Sequence, residues 1–299
     1  MKAREPRDPV LPDAGRRIER RPGVGIALRV VQEGGLRLSS VFVEQPGLSF
    51  VRRGEKRVRV GAFDALVREG EAVASPSGLS LEVTNVADEA GRYEALSVIP
   101  DAALIAAGRS EDMARPIRTP VHLSRLDGGF AEAVQRAISA IFEPSRIPDQ
   151  VAAARMREVL AWLASVGITF EASRPTMVAA RTRLLLTDAP GRRWTGPEVA
   201  QTLAMSEATL RRRLAAERTT LSDLLVEVRM STALVLLQAT EKSVAEIAFD
   251  VGYESASRFA ARFRRRFGHP PAAIRHGDPD LDRHGAEIDR HGSAASPPG

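Results

Sequence analysis

The chain contains no cysteine. That excludes a disulfide frame and thiolate metal chemistry, and it suits a reducing cytoplasm. Histidine is missing from residues 1–121. A metal enzyme in that half is therefore not expected, because such sites gather several imidazoles and a carboxylate on facing strands. No apolar run approaches the length of a membrane span, so no membrane association is expected. The opening MKAREPRDPVLPDAGRRIERRPG is basic but lacks an apolar stretch. It reads as a disordered arm over residues 1–22, not as a secretory signal. A nucleophile–base pair and a Gly-rich phosphate loop are also lacking. The expectation is thus no catalytic residues, no metal site and no cofactor.

A further absence is local. No acidic residue occurs between Glu254 and Asp278, while Arg258, Arg262, Arg264, Arg265 and Arg266 fall within one short stretch. Phe259, Phe263 and Phe267 are interleaved with them at a spacing of four. At about 100° per residue the phenylalanines form one narrow stripe, and Arg258, Arg262, Arg265 and Arg266 lie together beside it. Arg264 falls on the far side. The spacing predicts an amphipathic helix with a buried Phe seam, an N-cap at Ser255 and a stop at Gly268, Pro270 and Pro271. Helices that are merely soluble mix charge signs, so an unrelieved guanidinium face points to a polyanionic partner.

What is present divides into two halves. The 299 residues suffice for two domains. Residues 192–275 hold fourteen Lys or Arg against nine Asp or Glu, an excess equal to the net charge of +5 of the whole chain. The positive field therefore belongs to the C-terminal block. From about residue 24 to 99, short alternating or β-branched runs such as VGIALRVVQ, LSLEVTNVA and RYEALSVIP are separated by EGG, QPG, SPSG and DEAG. These predict a small antiparallel barrel or jelly roll. After Pro100 the spacing turns helical: Phe130, Val134, Ile138 and Ile141 share one face, as do Val151, Met156, Val159, Leu160 and Leu163. Packing on the barrel and a dimer seam are both open for these helices. SRPTMVAARTRLLLTDAPGRR reads as one more helix with a linker, and the RHG-rich end at His276, His284 and His291 as a disordered tail.

The C-terminal block repeats itself. EVAQTLAMSEATLRRRLAAE (198–217) and EIAFDVGYESASRFAARFRR (246–265) share one grammar. Val199-Ala200 corresponds to Ile247-Ala248, Leu203 to Val251, and Ala204-Met205 to Gly252-Tyr253. Each then enters a helix with apolar residues four apart. Small Ala200 and Ala248 let two short helices cross closely, and the turn requires a left-handed residue that Gly252 supplies without strain. Each unit therefore reads as a helix-turn-helix, whose second helix is shaped for a major groove. Pro197 suits a helix start, Ser206 an N-cap, and Ser243 with Glu246 a capping box. Between the units, Leu225, Val228, Leu236 and Leu237 predict one long spacer helix. Such a spacer sets two recognition helices about one DNA turn, ~34 Å, apart.

Residues from Trp194 to about Arg275 resemble the DNA-binding domain of the AraC/XylS family of bacterial transcription regulators. The resemblance rests on WTGPEVAQTLAMSEATLRRRL, LLVEVRMSTALVLLQ and SVAEIAFDVGYESASRFAARFRRRFGHPP in that order. It implies an α+β two-domain chain: an N-terminal cupin-like antiparallel β barrel with packed helices, then an all-α double helix-turn-helix domain. The expected boundaries are 1–22 for the arm, 23–166 for an effector and dimerisation domain, 167–191 for a helix and linker, 192–275 for the DNA-binding domain and 276–299 for the tail. By the same resemblance, base edges are read from Ala208, Thr209, Arg211 and Arg212 on one helix, and from Ser257, Arg258 and Ala261 on the other. Ser206, Arg213, Arg262 and Arg265 are expected at phosphates. Family members commonly carry arginine where this chain has Ala261, and glycine where it has Ala204. The implied partners are double-stranded DNA, RNA polymerase and a second copy of the chain. Activation is the expected mode. Control comes either from a small-molecule effector in the N-terminal half or from a protein docked on the helices after Pro100. A barrel enzyme is the remote third reading.

Overall fold

The computed structural model describes residues 15–108, 115–172 and 177–276. Its first part is a run of strands: β1 (Arg17–Arg21), β2 (Gly25–Glu33), β3 (Leu36–Phe42), β4 (Gly47–Arg53), β5 (Glu55–Val60), β6 (Phe63–Val67), β7 (Ala72–Ser75), β8 (Ser80–Val86) and β9 (Arg92–Pro100). Helix α1 (Ala102–Ala107) and the short β10 (Val121–Leu123) follow. The strands form a six-stranded sheet, β1-β2-β9-β4-β7-β10, and a four-stranded sheet, β3-β8-β5-β6. Alternation explains how they pack. Val51, Val73, Tyr93 and Ala95 from the larger sheet meet Val58, Val67, Leu81 and Val83 from the smaller one in a single apolar layer.

The expected closed barrel is not formed. The two sheets stay open, and the edge strands β1, β10, β3 and β6 are not joined into a ring. Two features of β3 account for this. Its register shifts between Leu38 and Val41, where Ser40 takes a left-handed φ of 56°, so the strand bends out of line. Leu36 and Leu38 then lie in a helical core, which covers this edge instead of a further strand. The expected disordered arm also needs revision within the described residues, because Arg17–Arg21 pairs antiparallel with β2. Arg21 is buried there, donating to the Asp149 carboxylate and to the Ala140 and Ile147 carbonyls. Residues 1–14 and 277–299, including His284 and His291, lie outside the described residues.

Helices α2 (Gly128–Phe142) and α3 (Asp149–Ser165) pack on the larger sheet. Phe130, Val134, Ile138 and Ile141 are buried as their spacing predicts. On α3, Met156, Val159 and Leu163 are buried, but Leu160 is only half-buried and Val151 is exposed at the first turn. After α4 (Val178–Thr187) comes the helical part: α5 (Gly196–Thr202), α6 (Glu207–Ala216), α7 (Leu221–Ala239), α8 (Val244–Asp250), α9 (Ala256–Phe267) and α10 (Ala273–His276). Among the described residues no helix is long and apolar enough to cross a membrane.

Candidate nucleic-acid interface

The spacer helix serves two cores at once. The first half of α7 gives Leu224 and Val228 to a cluster with Val178, Leu186, Val199, Leu203, Leu210 and Leu214. The second half gives Met230, Ala233, Leu234 and Leu237 to a cluster with Ile247, Val251, Phe259, Phe263 and Phe267. Because α7 is buried on two sides, its apolar positions do not fit one stripe. Leu225 and Leu236, expected inside, are half-buried, while Leu224 and Leu234 fill the cores. At 1.5 Å per residue α7 is about 28 Å long, a rigid member spanning both units.

Caps set where the helices begin. The Glu198 carboxylate accepts from the backbone N–H and hydroxyl of Thr195, which opens α5. Those two donors and nearby Arg192 hold the carboxyl of Glu198 below its ordinary range. Ser206 opens α6, its hydroxyl accepting from the Thr209 N–H. Ser243 and Glu246 close a reciprocal capping box on α8, which also depresses the Glu246 carboxyl. Ser255 opens α9. In the first turn Ala204 has φ 56°, and in the second Gly252 has φ 85°. The second turn admits nothing larger. A Cβ on Gly252 would approach Arg229 Nη2 to 2.7 Å and the Gly191 carbonyl to 2.8 Å.

Those neighbours belong to a clasp that sequence reasoning missed. Arg229, near the middle of α7, donates to the carbonyls of Pro190 (3.0 Å) and Arg192 (3.2 Å) and lies near the Tyr253 ring. Burial lowers the proton affinity of its guanidinium. Arg193, just before α5, forms an ion pair with Glu254, just before α9. The segment read as a linker at DAPG thus ties the entrance of the first unit to the turn of the second. Only the glycine was a signal, because a Cβ on Gly191 would strike the Asp250 carbonyl at 2.4 Å.

The structure brings the expected site residues onto two helices. On α6, Leu210 and Leu214 are buried while Ser206, Ala208, Arg211, Arg212 and Arg213 are exposed. Thr209 is half-buried, and its hydroxyl accepts from Ser206. On α9, Phe259, Phe263 and Phe267 form a tilted ladder with ring centroids 5.6 Å and 4.6 Å apart. Ser257, Arg258, Ala261 and Arg265 are exposed, and Arg262 is half-buried. Among the described residues the guanidinium groups of Arg211, Arg212, Arg213, Arg258, Arg262 and Arg265 have no carboxylate or carbonyl partner. Arg266 is different: it is half-buried, with Nη2 3.5 Å from the Ser40 carbonyl of β3.

The family described as Helix-turn-helix domain matches residues 199–277. The transcriptional regulator SirC of Salmonella typhimurium (strain SL1344) is 38% identical over 83 residues, which is 28% of this chain and 28% of SirC. YdeO of Escherichia coli (strain K12), named as an HTH-type transcriptional regulator, is 34% identical over 97 residues, covering 32% of this chain and 38% of YdeO. The matches thus span roughly a third of these relatives' own length. In three dimensions the likeness is broader. ToxT from Vibrio cholerae strain SCE256, solved with an unsaturated fatty acid bound, superposes with a TM-score of 0.60 over 84% of this chain and 96% of that one, at 10% identity. That establishes the shared layout of a β-rich N-terminal part and a helical C-terminal part. With a matching family, two capped units on one spacer helix and a shared fold, the C-terminal part of this chain is an AraC-type helix-turn-helix domain.

Proposed function

We propose that this protein is a sequence-specific DNA-binding regulator of transcription that places α6 and α9 in successive major grooves of one duplex. The observation that carries this reading is the pair of arginine groups, Arg211, Arg212 and Arg213 on α6 and Arg258 and Arg265 on α9, exposed and without an acidic partner among the described residues, held by one helix and one clasp. Arg211 and Arg212, with Ala208 and Thr209, read base edges from α6. Arginine can bind guanine at O6 and N7 together, worth about 1–3 kcal/mol of discrimination. Ser257, Arg258 and Ala261 read from α9, with a weaker contribution because Ala261 offers only a methyl group. Arg213, Arg262, Arg265 and Ser206 fix the register at phosphates. The chain acts in the cytoplasm as a non-enzymatic activator, working as a homodimer with RNA polymerase. Its N-terminal part responds to a small effector.

The test is binding of the full chain to its upstream DNA by anisotropy, with salt varied. Affinity is expected to fall steeply with salt as phosphate neutralisation releases counterions, and specific DNA to outcompete random duplex. Equal affinity for both sequences would refute base reading.

A further inference from the structure

The loop between β3 and β4 enters a crevice between α4, α7 and α9. On the α4 side, Arg183 forms a two-bond pair with Glu227 of α7, at 3.0 Å and 3.1 Å. The same guanidinium lies over the Phe42 ring, 4.8 Å from its centroid. Arg266 arrives from α9, donating to the Ser40 carbonyl. Glu44 is the loop's contribution. Its Oε2 lies 3.1 Å from the Thr187 hydroxyl, and its Oε1 is sealed from solvent without a partner. Arg266 Nε is sealed and unpartnered as well. At the rim, Arg20 and Asp188 form an exposed pair at 3.5 Å.

The Thr187 hydroxyl faces two acceptors, the Glu44 carboxyl and the Arg183 carbonyl. The Thr187 hydroxyl has one hydrogen and lies 2.9 Å from the Arg183 carbonyl one turn back. When that hydrogen serves the carbonyl, Glu44 can bond Thr187 only as a neutral acid that donates. Ionised, Glu44 would leave Oε1 buried and bare in the same crevice as Glu227. Burial is the largest influence and raises the Glu44 carboxyl from 4.5 to about 7, with Glu227 adding to it. The Thr187 hydroxyl, Arg183 and Arg266 pull the other way and do not prevail.

We propose that Glu44 is a proton-operated latch between the β-sandwich and the helical part: the neutral acid holds the β3–β4 loop against Thr187 of α4 in the crevice that α7 and α9 complete, and the carboxylate loosens it. The docked loop binds a proton more tightly than the free loop, so docking is strongest below the free carboxyl's range. It weakens as pH rises towards 7 and is flat above that. The interval from 4.5 to about 7 corresponds to about a 300-fold change in the docking equilibrium. The latch concerns the junction alone and does not depend on the DNA-binding proposal.

The cysteine-free chain permits clean labelling. Nitroxides on Ser39→Cys of β3 and Arg264→Cys of α9, both exposed in the parent, report the gap by pulsed electron resonance in the full chain. At about pH 5 a single narrow distance is expected, and at about pH 8 a second, longer component. Glu44→Gln, a permanently neutral isostere that can still donate to Thr187, should keep the narrow distance at both. Identical distributions at both pH values in the parent would overturn the latch. So would a longer component at acid pH, or a pH response that survives Glu44→Gln.

Discussion

The turn of the first helix-turn-helix places an exposed alanine at φ 56°, whereas that of the second places a glycine at φ 85° against Arg229 and Gly191. The surroundings differ in the same way. The first unit is cored by α4 and the front of α7, and its three consecutive arginines are exposed, with no acidic partner among the described residues. The second shares its core with Leu36 and Leu38 of β3, and Arg266 reaches back to that strand. Two copies of one motif have therefore been put to different uses. The β-sandwich touches the second unit directly, through Leu36, Leu38 and Ser40 of β3, whereas it reaches the first unit through α4, where Thr187 meets Glu44 and Arg183 lies over Phe42.

The contrast can be broken first at its core. Phe263→Ala removes the middle rung of a fully buried ladder, and the expected loss is about 3–5 kcal/mol, read as a fall in the thermal midpoint. Melting of β3 along with α9, followed by hydrogen exchange, would show that the shared core is cooperative. Next comes Arg212→Ala, expected to weaken specific DNA by about 10–100-fold while leaving random DNA nearly unchanged. Arg262→Ala should instead weaken all sequences alike and lower the salt slope by about one. A titration against both duplexes separates the two, and equal losses for both variants would remove the distinction between reading and gripping.

The smallest effect sharpens the comparison of the turns. Ala204→Gly relieves a left-handed alanine in open surroundings, so stability should change by at most about 1 kcal/mol in either direction. The reverse swap, Gly252→Ala, drives a methyl group into Arg229 and the Gly191 carbonyl and should cost several times as much by urea unfolding. Equal responses at the two turns would mean that the clasp does not constrain the second unit.

Much of the candidate site was legible. The Phe stripe, the caps at Ser206, Ser243 and Ser255 and the left-handed turns stand where the spacing placed them, while of the expected arginine face Arg258 and Arg265 are exposed, Arg262 is half-buried and Arg266 turns to β3. On α7 the reading was half right, because a helix buried on two sides does not show one clean periodicity. β1 was missed because its charged residues look like a solvated arm, and what orders Arg21 is a set of acceptors more than a hundred positions away. The barrel gave way to two open sheets because closure depends on which edge meets which. A bulge at Ser40 and a helix on β3 decide that, not the alternation within any strand.

By itself the sequence determined the helices, their ends, the doubled motif and the cationic block, because each arises from interactions within about one helical turn. Tertiary structure alone decided the clasp around Gly191, the open edges of the sandwich and the company Glu44 keeps. Thr187 meets Glu44 across 143 positions and Arg266 meets Ser40 across 226. Burial and proton affinity depend on such distant neighbours, and no local pattern encodes them.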